Sequence, residues 1–162
     1  MNRLRIALAA LVLTGQYAFA GGFLTPQDFV TRATASGQVE VELSKLALEK
    51  SQDVNIRAFA QRMVTDHGRA TAELSALAGS KGLKAGSPTA EQRAVINNLR
   101  QKTGKDFDAA YGRQMVEDHD EAVSLFSAAG TLDDKELSAF AGKLLPTLTN
   151  HQQTAHQLVP GQ

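Results

Sequence analysis

At 162 residues the chain is sized for one domain, and its 17 lysines and arginines are matched by 17 aspartates and glutamates. That balance, with no basic run, excludes an electrostatic footprint for nucleic acid or an anionic membrane surface. Cysteine is absent, which excludes a disulfide framework, a thiolate metal site, a cysteine nucleophile and a lipid-modified N-terminal cysteine.

The N-terminus reads as an export signal. Arg3 and Arg5 make a basic start, Ile6 to Leu13 is a short apolar run, and Ala18-Phe19-Ala20 offers small residues where a cleavage site needs them. A signal peptide is therefore expected over residues 1–20, its apolar run too short to span a bilayer. Cleavage would leave 15 basic and 17 acidic side chains, a charge of −2. Residues 21–162 are then expected to form a single domain, held together by its core alone and large enough to be so held. No further apolar stretch reaches membrane length, so the expected destination is the periplasm or the outside of the cell.

Thr25-Pro26 is a good helix opening, since threonine caps and proline suits the first turn. The first long helix is predicted to run to about Gln52, with Phe29, Ala33, Ser36, Glu40, Leu43 and Ala47 on its inward face. Gly37 inside it implies a bend or a close contact, since glycine costs roughly 1 kcal/mol there relative to alanine. Asp53 can cap a second helix whose stripe alternates by three and four: Ile56, Phe59, Met63, His67, Ala70, Leu74 and Leu77. That helix ends near Gly79 to Gly82. Residues 83–88 read as a loop, and Ser87-Pro88 opens a short helix over 88–102 with Val95, Ile96 and Leu99 as its apolar face. After Thr103-Gly104 a third long helix carries Phe107, Tyr111, Met115, His119, Ala122 and Phe126. A turn at Gly130 to Asp133 leads, with Asp133 or Asp134 as cap, into a fourth. This last helix carries Leu137, Phe140, Leu144, Leu148, His151, Ala155 and Leu158. Nothing alternates with period two for long enough to be a strand. Four long amphipathic helices with short connections within each pair predict an all-α, up-down four-helix bundle with one short extra helix between the second and third.

Two internal repeats support this pairing. Met63-Val64-Thr65-Asp66-His67 recurs 52 residues later as Met115-Val116-Glu117-Asp118-His119, each copy preceded by an aromatic residue (Phe59, Tyr111) at the same spacing. Ala58-Phe59-Ala60 recurs 81 residues on as Ala139-Phe140-Ala141. The chain reads as two helical hairpins sharing a core.

Each long helix places one polar residue on its inward stripe: Glu40, His67, His119 and His151. Counting from the connecting turns, Glu40 and His67 stand level, whereas His151 falls some four to six residues beyond His119, roughly 6–9 Å at 1.5 Å per residue. Pro146 should kink the fourth helix just before His151, because it has no N–H to give the carbonyl of Gly142. Three imidazoles and a carboxylate in a bundle core suit one divalent transition metal such as zinc, manganese or iron. Asp66 and Asp118, next to two of the histidines, are candidate outer partners that accept a ring's second N–H. The alternative is that these histidines only hydrogen-bond within the core of a non-enzymatic structural or interaction module. Glu-x-x-His, the di-iron signature, is missing, since Val64, Val116 and Leu148 stand three residues before the histidines. No nucleophile motif or phosphate loop is present, so no residue is marked as catalytic. His156 reads as a surface residue, and nothing identifies a protein partner.

Several of these segments together resemble a known family. They are Val39-Glu40-Val41-Glu42-Leu43, Phe59-Ala60-Gln61-Arg62-Met63-Val64-Thr65-Asp66-His67, Phe107-Asp108-Ala109-Ala110-Tyr111, and Leu145-Pro146-Thr147-Leu148 followed by His151. Their order is similar to that of the exported bacterial family known as domain of unknown function 4142, over about residues 27–158. The resemblance implies a ferritin-like four-helix bundle in the periplasm or outer envelope. Glu40, Asp66, His67, His119 and His151 all match it, and the family assigns none of them a catalytic role.

Overall fold

The computed structural model describes residues 23–159; the expected signal peptide lies outside them. Five helices follow one another: α1 (Pro26–Lys50), α2 (Val54–Ser80), α3 (Ala90–Gln101), α4 (Gly104–Ala129) and α5 (Lys135–Leu158). The described residues contain no strand, and none of their helices is long and apolar enough to cross a membrane. α1 packs along α2 and α4 along α5 as two antiparallel hairpins, while α1 also lies against α4. The result is the expected up-down four-helix bundle, with α3 packed against α1 and α4.

The helix boundaries follow from capping. Thr25 accepts the N–H of Asp28, Asp53 those of Asn55 and Ile56, and Asp134 those of Glu136 and Leu137; each bond satisfies a donor that the first turn leaves open. α1 stops at Lys50, two residues short of the expected end, because Ser51 turns to extended backbone while its N–H still reaches Ala47. The short helix starts at Ala90 rather than Pro88. Thr89 and Gln92 form a reciprocal capping box there, which fixes the start two residues further on than proline suggested. Pro146 sits inside α5, which continues through it to Leu158.

Two close approaches hold α1 in place. A Cβ at Gly37 would stand 2.2 Å from Thr71 Oγ1, so glycine there lets α1 and α2 come together. At Gly86 a Cβ would lie 2.1 Å from the backbone carbonyl of Thr31. The loop after α2 is thus pressed onto α1, and Gln27, Thr34 and Gln38 tie it down through the backbone of Lys84 and Gly86.

The core has two apolar parts. One gathers Leu43, Ile56, Phe59, Met63, Phe107, Tyr111 and Met115; the other gathers Phe29, Leu74, Phe126, Leu137, Phe140 and Leu148. Between them in sequence, on every long helix, stands a buried polar residue: Glu40, His67, His119 and His151.

Candidate metal centre

The four polar side chains meet. Ring centroids are 5.3 Å apart for His67 and His119, 5.4 Å for His67 and His151, and 5.6 Å for His119 and His151. The roughly 6–9 Å expected between His119 and His151 is a distance along the backbone, yet the rings meet at 5.6 Å, and the reason is side-chain direction. Helical side chains lean toward the N-terminus of their own helix. Because α4 and α5 are antiparallel, the His119 ring leans away from their shared turn and the His151 ring leans back toward it, which closes the backbone offset.

Each ring is oriented by a different partner. His119 Nδ1 lies 2.8 Å from the carbonyl of Met115, one turn earlier on α4. His151 Nε2 lies 3.2 Å from Asp66 Oδ2, and His67 Nδ1 lies 3.1 Å from Glu40 Oε2. The remaining nitrogens turn inward, with His67 Nε2 3.3 Å from His151 Nδ1 and His119 Nε2 3.5 Å from Glu40 Oε2. Asp66 therefore serves the histidine of another helix, not its own neighbour His67. Asp118 meets no imidazole; its Oδ1 accepts from Gln114, and the Met115 carbonyl holds the His119 ring in its place. Met115's role is a backbone one, foreshadowed only by its position four residues before a helical histidine. Phe59 was visible as a core aromatic, but its edge-on packing against His119 and His151, at 5.9 and 6.4 Å, was not.

Burial sets the charge state. Desolvation lowers the pKa of His67 to about 4 and, with the His67 charge adding to it, that of His151 to about 4. It also lowers that of His119, against the pull of Glu40. All three are thus neutral at pH 7, the form in which imidazole binds metal. Burial raises the pKa of Glu40, partly offset by His119 and by the Ser36 hydroxyl, which donates to Oε1. Burial, reinforced by Glu40, also lifts Asp118 to about 8. His156, by contrast, is exposed on α5 and lies 3.4 Å from Asp120.

A metal ion fits this set. One ligand atom from each of His67, His119 and His151 falls within 4.8 Å of the other two. Such a triangle has every corner within about 2.8 Å of its centre, against a zinc–nitrogen bond of about 2.0–2.1 Å; rotations worth less than an ångström would complete the coordination. Among the described residues, His119 Nε2 is buried without a hydrogen-bond partner, and Glu40 Oε2, although 3.1 Å from His67 Nδ1, accepts no well-aligned hydrogen bond. Buried polar atoms of that kind ordinarily find a partner, and these two face each other at the centre. Beside the centre opens a cleft of about 680 Å³ between the helices. Glu40, His67, Asp66 and His151 line it, whereas His119 does not.

Comparison with known families places this architecture. Residues 14–158 match the family described as Domain of unknown function (DUF4142). The chain belongs to DUF4142. No curated protein matches this DUF4142 chain by sequence. Among solved structures it is similar to a DUF305 fragment from Deinococcus radiodurans, with 19% identity over 85% of this chain and 97% of that one and a TM-score of 0.73. A DUF305 protein from Streptomyces coelicolor, described as secreted, is 14% identical over 85% and 93% of the two chains, with a TM-score of 0.71. CopM in its Cu(I)-bound form is 19% identical over 81% of this chain and 92% of its own, with a TM-score of 0.69. At such identities the likeness is one of fold.

Proposed function

We propose that this DUF4142 protein is an exported metal-binding bundle, in which His67, His119 and His151 ligate one transition-metal ion and Glu40 completes or neutralises the site. The supporting observation is the convergence of three buried, neutral imidazoles to within 4.8 Å beside the buried Glu40 carboxylate. On this reading the leader at residues 1–20 is removed on export. The mature domain, residues 21–162, works in the periplasm or outside the cell, sequestering or sensing the ion under envelope stress. Helices hold the ligands rigidly, and Met115 and Asp66 fix two of the rings, as outer partners of metal-bound histidines do.

Zinc, manganese and iron all accept imidazole, and copper joins them on two grounds. A histidine-rich site follows the general order of affinity that peaks at Cu(II), and CopM, similar in fold, has been captured with Cu(I), Cu(II) and silver. The protein should therefore bind copper more tightly than zinc, and zinc more tightly than manganese. Elemental analysis of untagged protein from the periplasm tests this, paired with competition titrations of each ion. Near-stoichiometric metal lost on His67→Ala supports the reading; metal-free protein that takes up none of these ions defeats it.

One observation favours a purely structural role. His67 and His151 lie at hydrogen-bonding distance from each other, and His151 is also paired with Asp66, so much of the cluster is satisfied without an ion. That reading predicts melting curves indifferent to chelator and to added metal.

A further inference from the structure

The cleft beside the histidines has a polar floor and apolar walls. Its floor carries Glu40, Asp66, His67 and His151, and its sides carry Leu74, Leu125, Phe126, Phe140, Leu144 and Leu148. Its volume of about 680 Å³ falls within the roughly 300–1,000 Å³ typical of small-molecule sites. An ion sequestered for its own sake needs no such chamber; a buried ligand set closed by side chains would serve. The opening is also one-sided. His67 and His151 line the cleft whereas His119 does not, so an ion held by the three rings, with Glu40 neutralising its charge and not closing its coordination, has its open position on the side of the chamber.

Resting on the metal reading above, we propose that the cleft binds a small acid with an apolar body, its carboxylate completing the coordination of the ion and its chain lying among the leucines and phenylalanines. The floor selects such a head. Arg32, Arg69 and Lys143 also line the cleft, at its exposed rim, where Arg69 is paired with Asp66 and Lys143 with Glu73. At the buried floor the bound ion is the cation that draws a carboxylate in. Ion and acid therefore bind cooperatively. The apolar walls supply the remaining affinity by removing a hydrocarbon or aryl chain from water. They lie on three helices, α2, α4 and α5, which suits a hydrocarbon tail and not a compact polar metabolite.

Octanoate is a suitable probe, with 1-octanol as the same chain lacking an anionic head. Calorimetric titrations would be run on the zinc-loaded and the chelator-treated protein, with zinc occupancy measured separately. Octanoate should bind the zinc-loaded form at least about tenfold tighter than the zinc-free form, the worth of one charge-assisted contact. Octanol should show no such preference. Leu144→Trp, which fills the chamber two turns from His151, should abolish octanoate binding with zinc occupancy retained, while Leu144→Ala, which enlarges it, should preserve both. Equal octanoate binding with and without zinc, or no binding to a fully zinc-loaded protein, overturns the proposal and leaves the metal reading intact. Failure to load any zinc, copper, manganese or iron overturns both, and is recognised by the occupancy measurement alone.

Discussion

Replacing His119 with leucine separates what the histidine cluster does for the fold from what it does for an ion. The His119 ring is fully buried. Its loss removes one hydrogen bond to the Met115 carbonyl, worth about 1 kcal/mol, and an edge contact with Phe59, worth about 0.5–1.5 kcal/mol. Against this, the substitution removes a buried Nε2 that has no hydrogen-bond partner, a group whose burial costs about 1–3 kcal/mol. A leucine of similar size also adds apolar contact. The terms nearly cancel, so chelator-treated His119→Leu should melt within about 3 °C of the chelator-treated native protein, roughly 1 kcal/mol for a domain of this length. The response to metal should differ completely. An ion present at 100 times its dissociation constant stabilises the native protein by about 2.7 kcal/mol, a rise of roughly 8 °C, and the variant should show none of it. Circular dichroism melts at 222 nm, with and without zinc or copper, measure both quantities. A metal-induced rise of equal size in both proteins would refute the assignment of His119 as a ligand. A collapse of the metal-free variant would refute the argument that its imidazole is nearly neutral for stability.

Proton linkage makes a second prediction. Asp118 is lifted by burial from 3.8 to about 8, so between those values the folded chain holds a proton that the unfolded chain has lost, and stability falls as pH rises. His67 and His151, lowered by burial from 6.5 to about 4, act oppositely: the unfolded chain takes up their protons first, and stability falls as pH drops below 6.5. The metal-free protein should therefore be most stable near pH 6.5 and lose about 1.4 kcal/mol per pH unit toward pH 8. Glu40, also raised by burial, contributes with the same sign, so Asp118→Asn should lessen that alkaline decline, and an undiminished slope in melts from pH 6.5 to 8 would show that Asp118 has no part in it. Glu40→Gln keeps the shape of the side chain but not its charge, so metal affinity in competition titrations should fall by roughly 10–100-fold while the fold persists. Gly86→Ala pushes a methyl group into the Thr31 carbonyl and should cost about 1–3 kcal/mol in chemical denaturation, with the loop after α2 becoming the first site of proteolysis.

The bundle was legible because its helices are amphipathic and its connections short. Only Ser51 to Asp53 separate α1 from α2, which left little freedom in how Glu40 and His67 meet. The meeting of the His119 and His151 rings was not legible because counting residues follows the backbone axis, while ligand atoms lie several bonds away along a lean that reverses between antiparallel helices. Asp66 and Asp118 occupy equivalent positions in the repeated segment, yet one reaches across to His151 and the other bonds Gln114 on its own helix. That difference depends on which helix lies opposite, and the repeat carries no information about it. The cleft was not legible at all. Its walls are ordinary core leucines and phenylalanines, and what opens it is a separation between helices that no local pattern records.

Stability in such a bundle need not be uniform along its length. Between one apolar pocket around Phe59 and Tyr111 and another around Phe126 and Phe140 lies a polar storey, where contacts depend on imidazole tautomers more than on interdigitated hydrocarbon. Hydrogen exchange would find there the seam at which the two storeys come apart, with the ends of the bundle opening on separate timescales. An ion gripped by three helices at that level would act as a keystone, joining two half-cores into one cooperative unit. Occupancy would then be readable far from the histidines, as slowed exchange at both ends of the bundle.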